Sequence, residues 1–105
     1  MSDAARTELV REFAMYYNAD ELHDILGGDV LEYADGSGNR LVHALGENAG
    51  EAAQLLRKML ADRMHPVFRE IEINSQYGWD GTPEDWEQFQ RIASRIIERI
   101  EALSA

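Results

Sequence analysis

TPEDWEQFQRIASRIIERIEALS, residues 82–104, carries the strongest helical signal in the chain. Trp86, Phe89, Ala93, Ile96, Ile100 and Leu103 advance by three or four residues, a spacing that gathers them on one face of an α-helix. Thr82 and Pro83 open this helix, since proline fits a first position whose N–H has no intrahelical acceptor. Glu84, Asp85 and Glu87 then set negative charge against the positive end of the helix dipole. Arg91, Arg95 and Arg99 form a row at four-residue spacing on another face, with Glu87 and Glu98 placed for weak local pairing. A solvated face is the plain reading of that row, and a docking surface the sharper one. One apolar helix face must be buried against other elements, and the remaining sequence supplies more helices.

Upstream, Asn48 and Glu51 have the spacing of a reciprocal capping box. They open a helix in which Ala52, Leu55, Leu56, Met59, Leu60 and Met64 keep the 3.6-residue period. Pro66 ends or kinks it near His65, and a new helix restarts there. The stretch Phe68 to Ile73 alternates like an edge strand but also spaces Phe68 and Ile71 like a helix; helix is favoured because a lone strand has no partner. Asn74 to Gly81 reads as a loop.

Toward the N-terminus, Leu9, Phe13, Tyr16 and Tyr17 define one face of a helix from about Asp3 to Tyr17. Asn18 with Glu21 caps a second, carrying Leu22, Ile25 and Leu26 inward before Gly27 and Gly28 end it. Val30, Leu31, Tyr33 and Ala34 suggest a turn or two of helix after Asp29, followed by a loop at Asp35, Gly36, Ser37, Gly38 and Asn39. A short helix with Leu41, Val42, Ala44 and Leu45 facing the core then stops at Gly46. The fold class is all-α, in one domain spanning residues 1–105, because this length buries one core.

A 45% hydrophobic content argues for an ordered chain despite a net charge of -10 and a pI near 4.6. At that charge phosphate backbones and anionic lipid surfaces repel the molecule, so neither direct nucleic-acid binding nor membrane association is expected. With no cysteine, disulfides and thiolate sites are excluded, and a cytoplasmic, reducing location fits. No apolar run approaches the ~20 residues of a membrane helix, and the N-terminus is polar. Charge is also segregated. Seven acids and no lysine or arginine lie between Arg11 and Arg40, six acids lie between Arg69 and Arg91, and five of the ten cations run from Arg40 to Arg69.

Chemistry-bearing patterns are weak. His23, His43 and His65 fall on separate helices without metal-ligand spacing, and His23 with Asp24 is only a dipeptide. His65 suits a cap on the carbonyls of the long helix. The stretch from Asp35 to Asn39 imitates the first ligands of a calcium loop, but Arg40 stands where the turn glycine belongs and Gly46 where a bidentate carboxylate must close the site. Its glycines lack the further glycine or lysine of a phosphate cradle, and Lys58 is the single lysine. Ser37, Ser75 and Ser94 lack a nucleophile-elbow context. The expectation is a non-enzymatic chain without cofactor or metal. Tyr77 and Trp79, in a glycine-bearing loop, are the aromatics best placed to anchor a partner.

The segment MYYNADELHDIL, followed by a short helix and a glycine-rich turn, then QLLRKMLADRMHP ending in His65 and Pro66, resembles the death-like adaptor domains of bacterial defence and signalling proteins, the effector-associated and CARD-like domains, over roughly Ala5 to Pro66. That resemblance implies a compact antiparallel bundle of five or six helices that brings a fused or partner effector into an assembly by like-with-like contacts. Independently, acids around Asp20, Glu21, Asp24, Asp29 and Glu32 could dock onto cations around Arg57, Arg63, Arg91, Arg95 and Arg99 of another copy, in a head-to-tail contact weakened by salt. The leading expectation is therefore an interaction domain whose protein partner is itself or a homologous helical domain, with a homo-oligomer as the product. The alternative is a small acidic inhibitor, an immunity or counter-defence protein, that blocks the basic surface of a nucleic-acid-handling target by imitating DNA charge. A metal-dependent enzyme using His23 and Asp24 is the third.

Overall fold

The computed structural model describes residues 3–16, 30–74 and 82–104. Helix α1 (Asp3–Tyr16) is followed by α2 (Val30–Leu45), a 3-10 turn (Gly46–Asn48), α3 (Ala49–Ala61), α4 (Pro66–Asn74) and α5 (Pro83–Ser104). No strand occurs among the described residues, and the ambiguous stretch after Pro66 is helix, as expected where a lone strand would have no partner. No described helix is long and apolar enough to cross a membrane. The capping and packing expected at Asn18, Glu21, Leu22, Ile25 and Leu26, and the loop bearing Tyr77 and Trp79, lie outside the described residues.

Helix α5 is the spine. Its apolar face lies against α2 most extensively and against α3 next, while α1 packs mainly on α4 and touches α2 and α3. Phe89, Ile96 and Ile100 are fully buried there, as the periodicity required, whereas Leu103 remains largely exposed. Phe89 is the hub of an aromatic cluster, with ring centroids 5.2 Å from Phe13, 4.9 Å from Phe68 and 5.7 Å from Trp86. These edge and offset contacts add ~0.5–1.5 kcal/mol each to the area they remove from water. They tie α1, α4 and α5 together at one point.

Several local expectations are overturned. The stretch Asp35 to Asn39 is not a loop: α2 runs straight through it. Ala34, Ser37, Gly38, Leu41 and Leu45 are all buried, at the i, i+3, i+4, i+7 and i+11 positions of one helix face. Gly38 is the small residue that lets α2 approach α5 at Arg99, and tertiary contact overrides a propensity cost of ~1 kcal/mol per glycine. Second, Asn48 makes no side-chain capping bond to α3. A 3-10 turn intervenes instead, with the Ala49 N–H donating to the Gly46 carbonyl, and Gly46 ends α2 in the left-handed region at φ 54°. Here a glycine is needed, because a Cβ would strain that backbone.

Third, α3 ends at Ala61 rather than near His65. The Asp62 N–H donates to the Met59 carbonyl, and the Asp62 carboxylate accepts the Met64 N–H at 2.9 Å. Met64 consequently leaves the apolar face and is 86% exposed. Fourth, His65 caps the following helix rather than the preceding one: Nδ1 accepts the Val67 N–H at 3.3 Å, and the His65 carbonyl accepts the Phe68 N–H at 3.1 Å. Nδ1 thereby satisfies a donor that no turn of α4 could reach. Ala44, expected inside, is exposed.

Candidate interaction surface

The arginines set the character of the exterior. Arg6 of α1 donates through Nε to Glu70 of α4 at 2.7 Å. Arg40 of α2 meets Glu12 of α1 with Nε at 2.7 Å and Nη2 at 3.0 Å, and Nη2 also donates to the buried Ser37 Oγ at 3.1 Å. Arg95 of α5 grips Asp35 of α2 through bonds of 2.8 and 3.0 Å. Arg57 of α3 pairs with Glu101 of α5. Four helix seams thus each carry one arginine–carboxylate clamp, two of them bidentate and therefore orientation-specific.

The other cations follow the same habit. Arg99 donates to Asn39 at 2.8 Å, and Arg63 lies over the Trp86 ring at 5.2 Å. Arg40 also stands 5.3 Å from the centre of the Tyr33 ring, a cation–π contact on its own helix. Arg11 and Arg69 pair along their own helices with Glu8 and Glu72. Among the described residues, only Lys58 and Arg91 of the cations make no hydrogen bond, ion pair or ring contact. Of the five arginines expected to offer a basic docking face, Arg57, Arg63, Arg95 and Arg99 are therefore engaged within the fold, and Arg91 alone is free of partners among the described residues. Asp20, Glu21, Asp24, Asp29, Tyr77 and Trp79 lie outside the described residues, while Glu32 is exposed on α2.

Glu12 is the single buried acid among the described residues. The other acids whose side chains are described are partly or fully exposed. The Arg95 guanidinium holds the Asp35 carboxyl below its ordinary value of 3.8, against a smaller opposing effect of burial. Glu70 correspondingly raises the Arg6 guanidinium. An open groove of about 890 Å³ runs between α1 and α4, lined by Asp3, Arg6, Thr7, Val10, Arg11, Ala14, Glu70 and Asn74 and crossed by the Arg6–Glu70 pair. Its charges are balanced, so it has no preference for an ion of either sign. No cluster of three potential metal ligands exists among the described residues; His43 is exposed, His65 is the α4 cap, and His23 lies outside them.

The clamp residues Glu12, Asp35, Glu70 and Glu101 were not among the expected site residues. Their partners are 28 to 64 positions away, and no local spacing rule reaches so far. No protein-family model, curated protein or solved structure matches the chain.

Proposed function

We propose that this chain is a non-enzymatic helical interaction domain of the adaptor type, and that its partner is a protein presenting a basic surface. The observation that carries this reading is the use of the cations. Arg6, Arg11, Arg40, Arg57, Arg63, Arg69, Arg95 and Arg99 are committed to contacts within the domain, while a net charge of -10 remains to be met from outside. An exterior of that sign attracts basic surfaces over about a Debye length and raises the rate at which they arrive. The resemblance of residues 5–66 to death-like adaptor domains supports the adaptor role, and the acidic-inhibitor reading shares the same physics with a nucleic-acid-handling target.

Homotypic assembly is the second reading. Lys58 and Arg91 favour it, being exposed cations that the acids of another copy could meet. The two readings separate in sedimentation velocity at low and high salt. A basic partner requires a chain that stays monomeric alone and forms a salt-sensitive complex with that partner. Oligomers of the chain alone that dissolve in salt, and are lost in Arg91→Glu, would instead select homotypic assembly. A chain that captures no basic protein at low salt would defeat the first reading.

A further inference from the structure

Helix α2 is built around a sequence that disfavours helix. Glycine is the poorest helix former after proline, and Asp, Ser and Asn compete for their own backbone. Five such residues stand in succession at Asp35, Gly36, Ser37, Gly38 and Asn39, in the middle of the element. What holds them comes largely from α5. Arg95 takes Asp35 with two bonds of 2.8 and 3.0 Å, and one turn later Arg99 takes Asn39 at 2.8 Å. Between these two attachments Gly38 lies against α5 so closely that a Cβ there would sit 2.8 Å from both Cβ and Cγ of Arg99. Both ends of the weak stretch are thus tied to neighbouring turns of one strong helix.

We infer that α2 is a conditional helix: residues 35–39 stay helical while Arg95 and Arg99 hold Asp35 and Asn39, and release of that latch divides α2 into two shorter helices hinged at Gly36 and Gly38, with the rest of the bundle intact. The apolar groups on either side, Ala34 before the hinge and Leu41 after it, are buried now and become accessible when it opens. A cation from a basic partner that captured Asp35 would undo one end of the latch. The inference stands whether or not that partner exists, because the latch is intramolecular.

Hydrogen exchange by mass spectrometry on the full chain tests it, comparing the parent with Arg95→Gln/Arg99→Gln. Amides of residues 35–40 are expected to exchange about tenfold faster in the double variant, while those of α3 keep their protection. Adding Gly36→Ala to that variant restores protection by about fivefold, since alanine favours the helix and its Cβ meets only Nη1 of Arg40, at an ordinary contact distance of 3.4 Å. Unchanged exchange in the double variant, or equal acceleration in every helix, overturns the inference. If the double variant does not fold, Gly36→Ala in the parent chain decides: slowing confined to residues 35–40 supports a local hinge, and its absence overturns it.

Discussion

Glu12 and Arg40 form the one ion pair among the described residues whose acid is buried, with Glu12 only 7% exposed and both of its oxygens bonded to the guanidinium. A carboxylate in that position is tolerable because two charge-assisted bonds replace its water. Arg40→Met strands the acid and is expected to cost about 1–3 kcal/mol, less than for a fully buried pair because the Arg40 side chain is half-exposed. Adding Glu12→Met should recover part of that loss. Urea denaturation of the three variants checks it; a double variant no more stable than Arg40→Met alone contradicts the assignment.

The two glycines of α2 should respond oppositely to the same methyl group. Gly36→Ala adds helix propensity with its Cβ at an ordinary contact distance, 3.4 Å, from Arg40 Nη1, and is expected to stabilise by ~0.5–1 kcal/mol. Gly38→Ala gains the same propensity but forces apart α2 and the Cβ and Cγ of Arg99, atoms too near the backbone to swing away. Overpacking of that kind costs ~1–3 kcal/mol, so the net change is a loss. Thermal melts with opposite shifts in Tm are the expected result.

Phe89→Ala removes the ring shared by three aromatic neighbours and should destabilise the domain by ~3–5 kcal/mol, enough to leave much of the population unfolded. Met64→Ala, in the exposed turn before α4, is the contrasting variant and should change stability by less than about 0.5 kcal/mol. Chemical denaturation of both variants provides the measurement, and similar losses at the two positions would contradict the placement of Phe89.

Asp35 has a folded-state carboxyl that protonates below its ordinary 3.8, owing first to its bonds from Arg95. Its contribution is therefore complete above that ordinary value and disappears as pH falls through the lower, folded one. Asp35→Asn should lose stability at neutral pH and show a shallower decline with acid below about pH 4 than the parent. Denaturant midpoints measured through that window would decide, with parallel profiles for parent and variant counting against the Arg95 pair.

Apolar residues that recur at helical spacing made most of the helices legible. Helix α5 could be read from Trp86 to Ile100, and α4 was readable once Pro66 was placed at its first position. The misreading at Asp35 to Asn39 has a physical cause: small residues at an interhelical crossing and small residues in a turn are the same letters, and only the partner helix distinguishes them. The end of α3 was missed because Asp62, three residues before the expected stop, uses its carboxylate on its own turn. The arginine row of α5 kept its spacing, with Arg95 and Arg99 turned to Asp35 and Asn39 and Arg91 left exposed. Whether a guanidinium faces water or a carboxylate 60 residues earlier depends on packing that no local pattern encodes.

The cross-helix clamps join residues 64, 28, 44 and 60 positions apart, which bears on kinetics. Such distant groups meet only after the chain has largely closed, whereas the turns of each helix form from near neighbours. If the clamps tighten after the rate-limiting step, weakening them shortens the lifetime of the native molecule while the speed of its formation changes little. The arginines would then govern persistence more than assembly of the fold.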